Sequence, residues 1–479
     1  MKRREFLKGM GLVAAGAAIA PETLAKNSSI GKGISFTDDF NPDTDKRGDL
    51  NELDIKIKGM APNVNRRISA VVVGAGSRGN TYGKYALRYP EALKIVGVSD
   101  INPMRKERFA REYDIPKERQ YGDFHEILAA GKIADAMIIS TPDDLHYEPC
   151  MKALELGYDV LLEKPCAQTE KECRAILAQA KKYNRLVAVC HVLRYAPYFI
   201  ALKNLLDNGY IGTPVSFQHM EPIQYAHMAH SYVRGNWRDS KQTTPIILAK
   251  SCHDLDILRW LVGKPCKSIS AYGSLALFKQ ENAPQGAPLR CTDGCPHEAE
   301  CPYSAIDVYC NRREHLGVFD LPKGYDNNTI MEKLRSTGYG RCVYHCDNDQ
   351  PDHDVAHMEF EGGVTAAFSM EAFTPFGGRR TKIMGTKGMI SGDGKQFTIT
   401  EFRSRKRHVW NKNVAEIPEY RGAGHGGGDL VLMRDFVEAV AWQDKTRLTS
   451  TIEASIESHV MGFAAEKSRK SDRKVKVSI

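Results

Sequence analysis

Short apolar runs alternate with amphipathic stretches over residues 66–190. Five runs rich in aliphatic residues read as strands: Ile68–Val73, Ile95–Ser99, Ala136–Ser140, Asp159–Leu162 and Leu186–Cys190. Between them, Met104–Tyr113 and Lys171–Tyr183 place apolar residues at helical spacing. Strands that alternate with helices predict βαβ units around a parallel sheet.

The pattern changes after about residue 191, where strand-like runs become more frequent. They are Val215–His219, Ile269–Ala276, Val355–Phe360, Thr365–Met370 and, interrupted by a glycine, Lys382–Ile390. Turns such as Glu361-Gly362-Gly363 join neighbouring runs, which favours antiparallel pairing. Residues 429–466 predict one or two closing helices. We therefore predict an α/β domain over residues 66–190 and, over residues 191–479, a second α/β domain built on a largely antiparallel open sheet.

The N-terminus carries the pattern of an export signal. Lys2-Arg3-Arg4-Glu5-Phe6-Leu7-Lys8 precedes an apolar segment, Gly9–Ala20, that is shorter than the roughly 20 residues a membrane span needs. This is typical of a twin-arginine (Tat) signal peptide over residues 1–25, followed by a polar linker over residues 26–65. We expect the Tat machinery to export the folded chain to the periplasm, so any cytoplasmic cofactor has to be held tightly.

Composition and charge narrow the class of protein. A chain of 479 residues with 42% hydrophobic and 26% charged residues is long enough for two globular domains. The net charge of +8 is spread along the chain, with no basic run interleaved with aromatic residues. This argues against nucleic acid as a partner.

A glycine motif follows the first predicted strand directly. Gly74-Ala75-Gly76-Ser77-Arg78-Gly79 has the G-x-G-x-x-G spacing of a dinucleotide-binding turn, in which a helix N-terminus faces the pyrophosphate. Asp100 ends the second strand, where a carboxylate binds a ribose 2′-hydroxyl and repels a 2′-phosphate. A Rossmann domain that binds NAD is predicted; Arg78 and Arg105 leave an opening for NADP.

Two later strand ends carry polar residues. One reads Ser140-Thr141-Pro142-Asp143-Asp144-Leu145-His146 and the other Glu163-Lys164-Pro165. An ammonium group at Lys164 can hydrogen-bond a reacting hydroxyl and stabilise charge during hydride transfer. On these residues alone, a solvated surface lysine is the stronger interpretation.

Taken together, these motifs resemble the glucose–fructose oxidoreductase, inositol dehydrogenase and rhizopine-catabolism (Gfo/Idh/MocA) family. His253-Asp254-Leu255-Asp256, leading into Leu258-Arg259-Trp260, completes the resemblance, which runs from about residue 66 to the C-terminus. It implies Lys164 at the active site, a cis bond at Pro165, and a sheet face used for a homo-oligomer, a dimer or a tetramer. Cofactor contacts are then predicted at Gly74, Gly76, Ser77, Arg78, Gly79, Asp100, Thr141, Pro142, His146, Glu163 and Lys164.

The resemblance also implies a catalytic histidine four residues after an aspartate. His253 fits as the general base, but Ala249 stands where the carboxylate is expected, next to Lys250. Lys164 and Lys250 are then predicted to flank the substrate, each lowering the pKa of the other by repulsion. The alternative for His253 is a helix-capping or core histidine.

Two further segments are predicted to contact substrate. His191, Arg194 and Tyr195 follow the last strand of the first domain, and His425 lies in the glycine-rich segment before the closing helices. The alternative for the second segment is a flexible turn with Asp429 as helix N-cap.

Six of the twelve cysteines fall within residues 291–346, inside an insertion of the second domain at about residues 282–350. Their spacing favours a structural zinc site. The predicted ligands are Cys291, Cys295, Cys301 and either Cys342 or Cys346, with His297 and His345 as substitutes. Disulfides, an iron–sulfur cluster and free thiols are the alternatives.

These features predict an exported NAD-dependent oxidoreductase that acts on a hydroxyl of a sugar, a glycoside or a polyol, with C3 suggested by family analogy. One alternative is a glycosidase that oxidises its substrate transiently and eliminates the aglycone. A second is a non-catalytic sugar-binding protein on the same fold.

Overall fold

The computed structural model describes residues 46–47, 55, 57–411 and 424–478. The predicted signal peptide, residues 1–25, lies outside the described residues. Of the predicted linker, residues 46–47 form a two-residue strand, β1 (Lys46–Arg47), that pairs with a strand of the second domain. Met60 is buried, and its carbonyl accepts a hydrogen bond from the Tyr85 hydroxyl at 3.3 Å. The last residues before 66 therefore pack on the first domain.

A six-stranded sheet, parallel throughout, forms the first domain, with strand order β4-β3-β2-β5-β6-β7. Its strands are β2 (Ile68–Val73), β3 (Leu93–Ser99), β4 (Gln120–Tyr121), β5 (Ala136–Ile139), β6 (Asp159–Leu162) and β7 (Val187–Val189). All five predicted strands are present. Ala70 and Val72 face one hydrophobic cluster while Val71 and Val73 face another, as expected of a sheet covered by helices on both sides.

The second sheet has ten strands in the order β1-β15-β14-β13-β12-β8-β11-β10-β9-β16. Its other strands are β8 (Pro214–Pro222), β9 (Cys266–Ser274), β10 (His353–Phe360), β11 (Thr365–Glu371), β12 (Arg380–Gly385), β13 (Gly388–Gly392), β14 (Gln396–Glu401), β15 (Lys406–Asn411) and β16 (Val475–Lys476). The pairing is antiparallel except at β1–β15 and β8–β11. The predicted architecture, a Rossmann domain followed by an α/β domain with a mostly antiparallel sheet, is confirmed.

Burial alternates along the strands of the second sheet. In β10, Ala356, Met358 and Phe360 are buried, whereas Val355 and His357 are exposed. The buried face packs against helices of the same domain, and the other face is open in the single chain.

The described residues also form twelve α-helices: α1 (Ser77–Arg88), α2 (Pro103–Glu112), α3 (Phe124–Ala129), α4 (Tyr147–Glu155), α5 (Glu170–Lys182), α6 (Pro197–Asp207), α7 (Tyr225–Met228), α8 (Ile246–Ala249), α9 (Cys252–Val262), α10 (Asn327–Ser336), α11 (Gly428–Trp442) and α12 (Ile452–Ser471). Among the residues described, no helix has the length and apolar character to cross a membrane. The closing helices α11 and α12 both place apolar residues in the cores of the Rossmann domain. The C-terminal segment therefore joins the two domains.

The cysteine-rich insertion has a small core of its own. Tyr309, Phe319, Ile330 and Leu334 are buried together with Cys291 and Cys310. This core packs beside α7, whose Ala226 belongs to the same cluster. The insertion is therefore an ordered subdomain attached to the second domain.

Candidate active site

The glycine motif forms a tight turn between β2 and α1. Gly74 has φ +93°, a conformation that favours glycine, and a Cβ at Gly79 would lie 2.1 Å from the Gly74 carbonyl oxygen. Helix α1 begins at Ser77 with no side-chain cap and no acidic residue in its first turn. An uncapped helix N-terminus behind open glycine backbone suits a pyrophosphate, so these residues fit a bound dinucleotide.

Asp100 closes the same turn from β3. Its carboxylate accepts hydrogen bonds of 2.7 Å from the backbone N–H groups of Ala75 and Asn102. Asp100, which is predicted to bind the ribose, therefore also fixes the shape of the phosphate-binding turn.

The Lys164 loop follows β6, and its peptide bond to Pro165 is cis, as the family resemblance implies. The Lys164 ammonium donates a hydrogen bond of 2.8 Å to the carbonyl oxygen of Ala249. His146 holds this loop against the neighbouring one, because its ring nitrogens lie 2.7 Å from the Pro165 carbonyl oxygen and 2.9 Å from that of Thr141. Lys164 is thereby held at the start of the second domain's helical layer.

Glu163 is buried and binds Arg78 and the Tyr82 hydroxyl. Burial opposes its ionisation, but the charges of Arg78 and Lys164 outweigh this and lower its pKa. Glu163 and Arg78 were predicted to contact the cofactor. The structure shows that they also tie the glycine turn to the Lys164 loop.

His253 lies in the first turn of α9 and is almost fully buried. Burial, followed by the positive charge of Lys164, lowers its pKa well below the usual value, so the imidazole is neutral near pH 7. Its Nδ1 has no hydrogen-bond partner among the described residues, and its ring centre lies 6.0 Å from that of His425. A neutral imidazole keeps one ring nitrogen as a hydrogen-bond acceptor, and this is the protonation state that a general base requires.

Lys250 differs from the prediction. Its ammonium lies 3.3 Å from Glu221 Oε1, and the other oxygen of Glu221 lies 2.8 Å from Arg379 Nε. The carboxylate of Glu221 therefore balances the charge of Lys250. The predicted repulsion between Lys250 and Lys164 had assumed that this charge was unbalanced. The role of Lys250 in catalysis remains a prediction.

His425 has the carboxylate partner that His253 lacks. Its Nδ1 lies 3.0 Å from Asp429 Oδ2, and the other oxygen of Asp429 lies 2.7 Å from Arg78 Nη2. Although burial opposes it, the hydrogen bond from His425 and the charge of Arg78 lower the pKa of Asp429 to about 2. The sequence interpretation offered Asp429 only as a helix cap, and its link to Arg78 spans 351 positions, a separation that no local motif reports.

Arg194 and Tyr195 were predicted to face the substrate, and this is corrected by the structure. The Arg194 guanidinium binds Asp256 at 2.7 and 2.6 Å, and the Tyr195 hydroxyl lies 2.8 Å from Ser450 Oγ. Both side chains are buried and lock α9 and the α11–α12 connection to the end of β7. The chain turns inward after β7, so only His191 of this group lies near a candidate catalytic residue, with its ring centre 6.1 Å from that of His253.

The zinc prediction is not supported. Among the described residues, no group of three or more His, Cys, Asp or Glu side chains is placed to hold a metal ion. Cys291, Cys295, Cys301 and Cys342 do line one cavity, and the cation buried in its wall is the guanidinium of Arg234, 3.7 Å from Cys291 Sγ. All twelve cysteines are free thiols, so the structure contains no disulfide among them either.

Comparison with protein families agrees with the two-domain fold. A family described as "Oxidoreductase family, NAD-binding Rossmann fold" matches residues 68–191, and its "C-terminal alpha/beta domain" matches residues 203–477. The two matches cover most of the chain. The protein therefore belongs to the Gfo/Idh/MocA family of NAD-binding oxidoreductases.

Individual relatives have low sequence identity to this chain. The chain is 26% identical to the putative oxidoreductase YteT of Bacillus subtilis over 365 residues, covering 73% of this chain and 83% of that protein. It is 31% identical to an inositol 2-dehydrogenase of Klebsiella pneumoniae over 263 residues, covering 53% and 73%. A solved levoglucosan dehydrogenase in complex with NADH and levoglucosan superimposes with a TM-score of 0.64 at 18% identity, covering 86% of this chain and 100% of the other. At that identity the structural likeness shows the fold alone.

Proposed function

We propose that this protein is an exported NAD-dependent oxidoreductase that oxidises or reduces a hydroxyl group of a sugar, a glycoside or a polyol. The observation that carries the proposal is the convergence of the glycine turn, Lys164 and the imidazoles of His253 and His425. One relative named above, the inositol 2-dehydrogenase of Klebsiella pneumoniae, acts by name on a polyol. This supports the substrate class.

NAD held by the glycine turn would accept a hydride from the carbinol carbon. Lys164 supplies an ammonium group that orients the substrate hydroxyl and stabilises the alkoxide that develops on it. Its bond to the Ala249 carbonyl leaves two of its three N–H donors for such contacts.

His253 is proposed as the group that takes the hydroxyl proton. The carboxylate expected at position 249 is absent, but Asp429 orients His425 from another part of the chain. The His425–Asp429 pair is proposed to bind a second hydroxyl of the substrate, which places the reacting one between Lys164 and His253.

Oxidation at C3 of a pyranoside is the proposed regiochemistry, on family analogy. It is tested with methyl glucosides that carry deuterium at C3 or at C2. A primary isotope effect on NADH formation is expected for C3 only; an effect for C2 only would contradict this assignment.

Export and tight cofactor binding are proposed together. The twin-arginine pattern supports export of a folded chain, and NAD would then be bound before export. Native mass spectrometry of protein purified from the periplasm should show one dinucleotide per chain. Protein that is empty and does not take up added NAD would contradict the proposal.

The central experiment is the substitution Lys164→Ala. Turnover of polyols and glycosides should be lost while NAD stays bound, because the glycine turn is untouched. Lys171→Ala, which removes an exposed lysine from α5, is the matched control and should behave as wild type. Undiminished turnover by Lys164→Ala would refute the role of Lys164.

Two alternatives from the sequence remain as outcomes of these assays. Release of free sugar from a glycoside without net NADH would identify a glycosidase. Sugar binding without dinucleotide would identify a binding protein.

The open face of the second sheet, which exposes Val355 beside Tyr272, is proposed as the surface of a homodimer or homotetramer.

A further inference from the structure

A cleft of about 710 Å³ lies between the glycine turn and the cysteine-rich insertion. Gly76 and Ser77 line one side, and residues 316–318, 320 and 321 with Tyr339 line the other. The insertion therefore forms a wall of the proposed dinucleotide site, although none of the sequence motifs for that site lies in it.

The charges around this cleft are unequal. Three cations line the cleft: Lys84, Arg105 and Arg108. Among the described side chains that line it, Asp320 is the one carboxylate. A cleft with this balance attracts anionic groups such as phosphates. The ion pair that Asp320 forms with one of these cations determines which of them can bind an anionic ligand.

Arg105 is the cation placed closest to the glycine turn in this set. It lies in the first turn of α2, five residues after Asp100, and a Cβ at Gly76 would lie 4.0 Å from its Nη1. An arginine beside the strand-end acid is the group that accommodates the 2′-phosphate of NADP. On its own, Arg105 would therefore favour NADP.

Asp320 of the insertion forms a hydrogen-bonded ion pair with Arg105. Arg105 Nε lies 3.0 Å from both oxygens of Asp320, and Nη2 lies 2.7 Å from Oδ2. Asn102, the N-cap of α2, adds a contact of 3.4 Å to the same carboxylate. Asp320 holds a left-handed backbone conformation, φ +47°, which is unfavourable for a residue with a Cβ. The loop thus holds a strained residue against Arg105.

We propose that Asp320 makes this protein selective for NAD by sequestering Arg105, so that the insertion, and not the Rossmann domain alone, sets dinucleotide choice. A 2′-phosphate would have to displace Asp320 from Arg105 and would meet the negative charges of both Asp100 and Asp320. NAD carries no phosphate there and leaves the pair intact. The inference rests on the proposed binding of a dinucleotide at the glycine turn.

The test compares Asp320→Asn with wild type by titration calorimetry, with NAD and NADP, on the full chain freed of bound dinucleotide. The affinity ratio of NADP to NAD should rise about tenfold or more, the value of one charged hydrogen-bonded contact to phosphate. Asp320→Glu, which keeps the charge, should retain the wild-type ratio. The double variant Asp320→Asn, Arg105→Gln should lose the gain.

Controls separate a selective effect from a structural one. Glu332→Gln removes an exposed carboxylate from α10 of the same insertion and should leave both affinities unchanged. An unchanged ratio in Asp320→Asn, a gain that persists without Arg105, or equal loss of both dinucleotides would overturn the inference. If wild type and variant bind neither dinucleotide, the proposed function itself fails; if wild type binds NAD and only the ratio fails to move, this inference alone fails.

Discussion

Replacing Asp256 with asparagine tests whether Arg194 is structural or binds substrate. Asp256 and Arg194 are 0% and 4% exposed, and the carboxylate accepts both guanidinium bonds and a hydrogen bond of 3.2 Å from Ser458. Asparagine keeps one acceptor oxygen but turns an amide N–H₂ toward the guanidinium donors. Arginine cannot lose its proton in response, so the charge stays buried without compensation.

The expected loss follows from that geometry. Removing one partner of a buried, hydrogen-bonded ion pair costs about 3–5 kcal/mol, a large part of the roughly 5–15 kcal/mol that stabilises a typical domain. Guanidinium unfolding followed by circular dichroism measures the loss, as a lower midpoint at unchanged slope. The protein that remains folded should keep the wild-type KM for its substrate.

Asp207→Asn is the matched control. Asp207 is exposed on α6 and pairs with Lys203 at the surface, so its loss should cost no more than about 1 kcal/mol. If Asp256→Asn unfolded no earlier than this control while its KM rose, Arg194 would be a substrate ligand and the structural interpretation would be refuted.

Two further substitutions test the buried carboxylates. Asp429→Asn should raise the KM for substrate at least about tenfold with NAD still bound, because His425 loses the charge that orients it toward the second hydroxyl; a lower kcat at unchanged KM would contradict this binding role. Asp354 is buried in β10, and burial, opposed by the charge of Arg469, raises its pKa to about 8, from about 3.9 in the unfolded chain. The folded state then binds the proton more tightly, so this group's contribution to stability falls as pH rises from about 4 to about 8. Asp354→Asn removes that loss, so its stability relative to wild type should increase by about 4 kcal/mol between pH 5 and pH 8, at about 1.4 kcal/mol per pH unit, and its Tm should rise with it; a constant difference across this range would contradict the argument.

The local pattern of the chain determined the Rossmann domain almost completely. Strand runs such as Ile68–Val73 and the glycine motif report short-range requirements: burial on both faces of a sheet, and backbone that only glycine can adopt at Gly74. The second sheet was predicted less fully. Strand β15 carries lysine, arginine and histidine, so its charged sequence does not predict a strand. It forms a strand in the folded chain because it pairs with β14.

The site divides in the same way. Lys164 and His253 were predicted as site residues through the family resemblance, because each belongs to a motif whose residues are neighbours in the chain. The partners of Arg78, Arg105 and Arg194 were not, because Asp429, Asp320 and Asp256 are brought to them by folding across 351, 215 and 62 positions. A guanidinium is satisfied by whichever carboxylate the packing places beside it, and that choice is made only when distant elements meet.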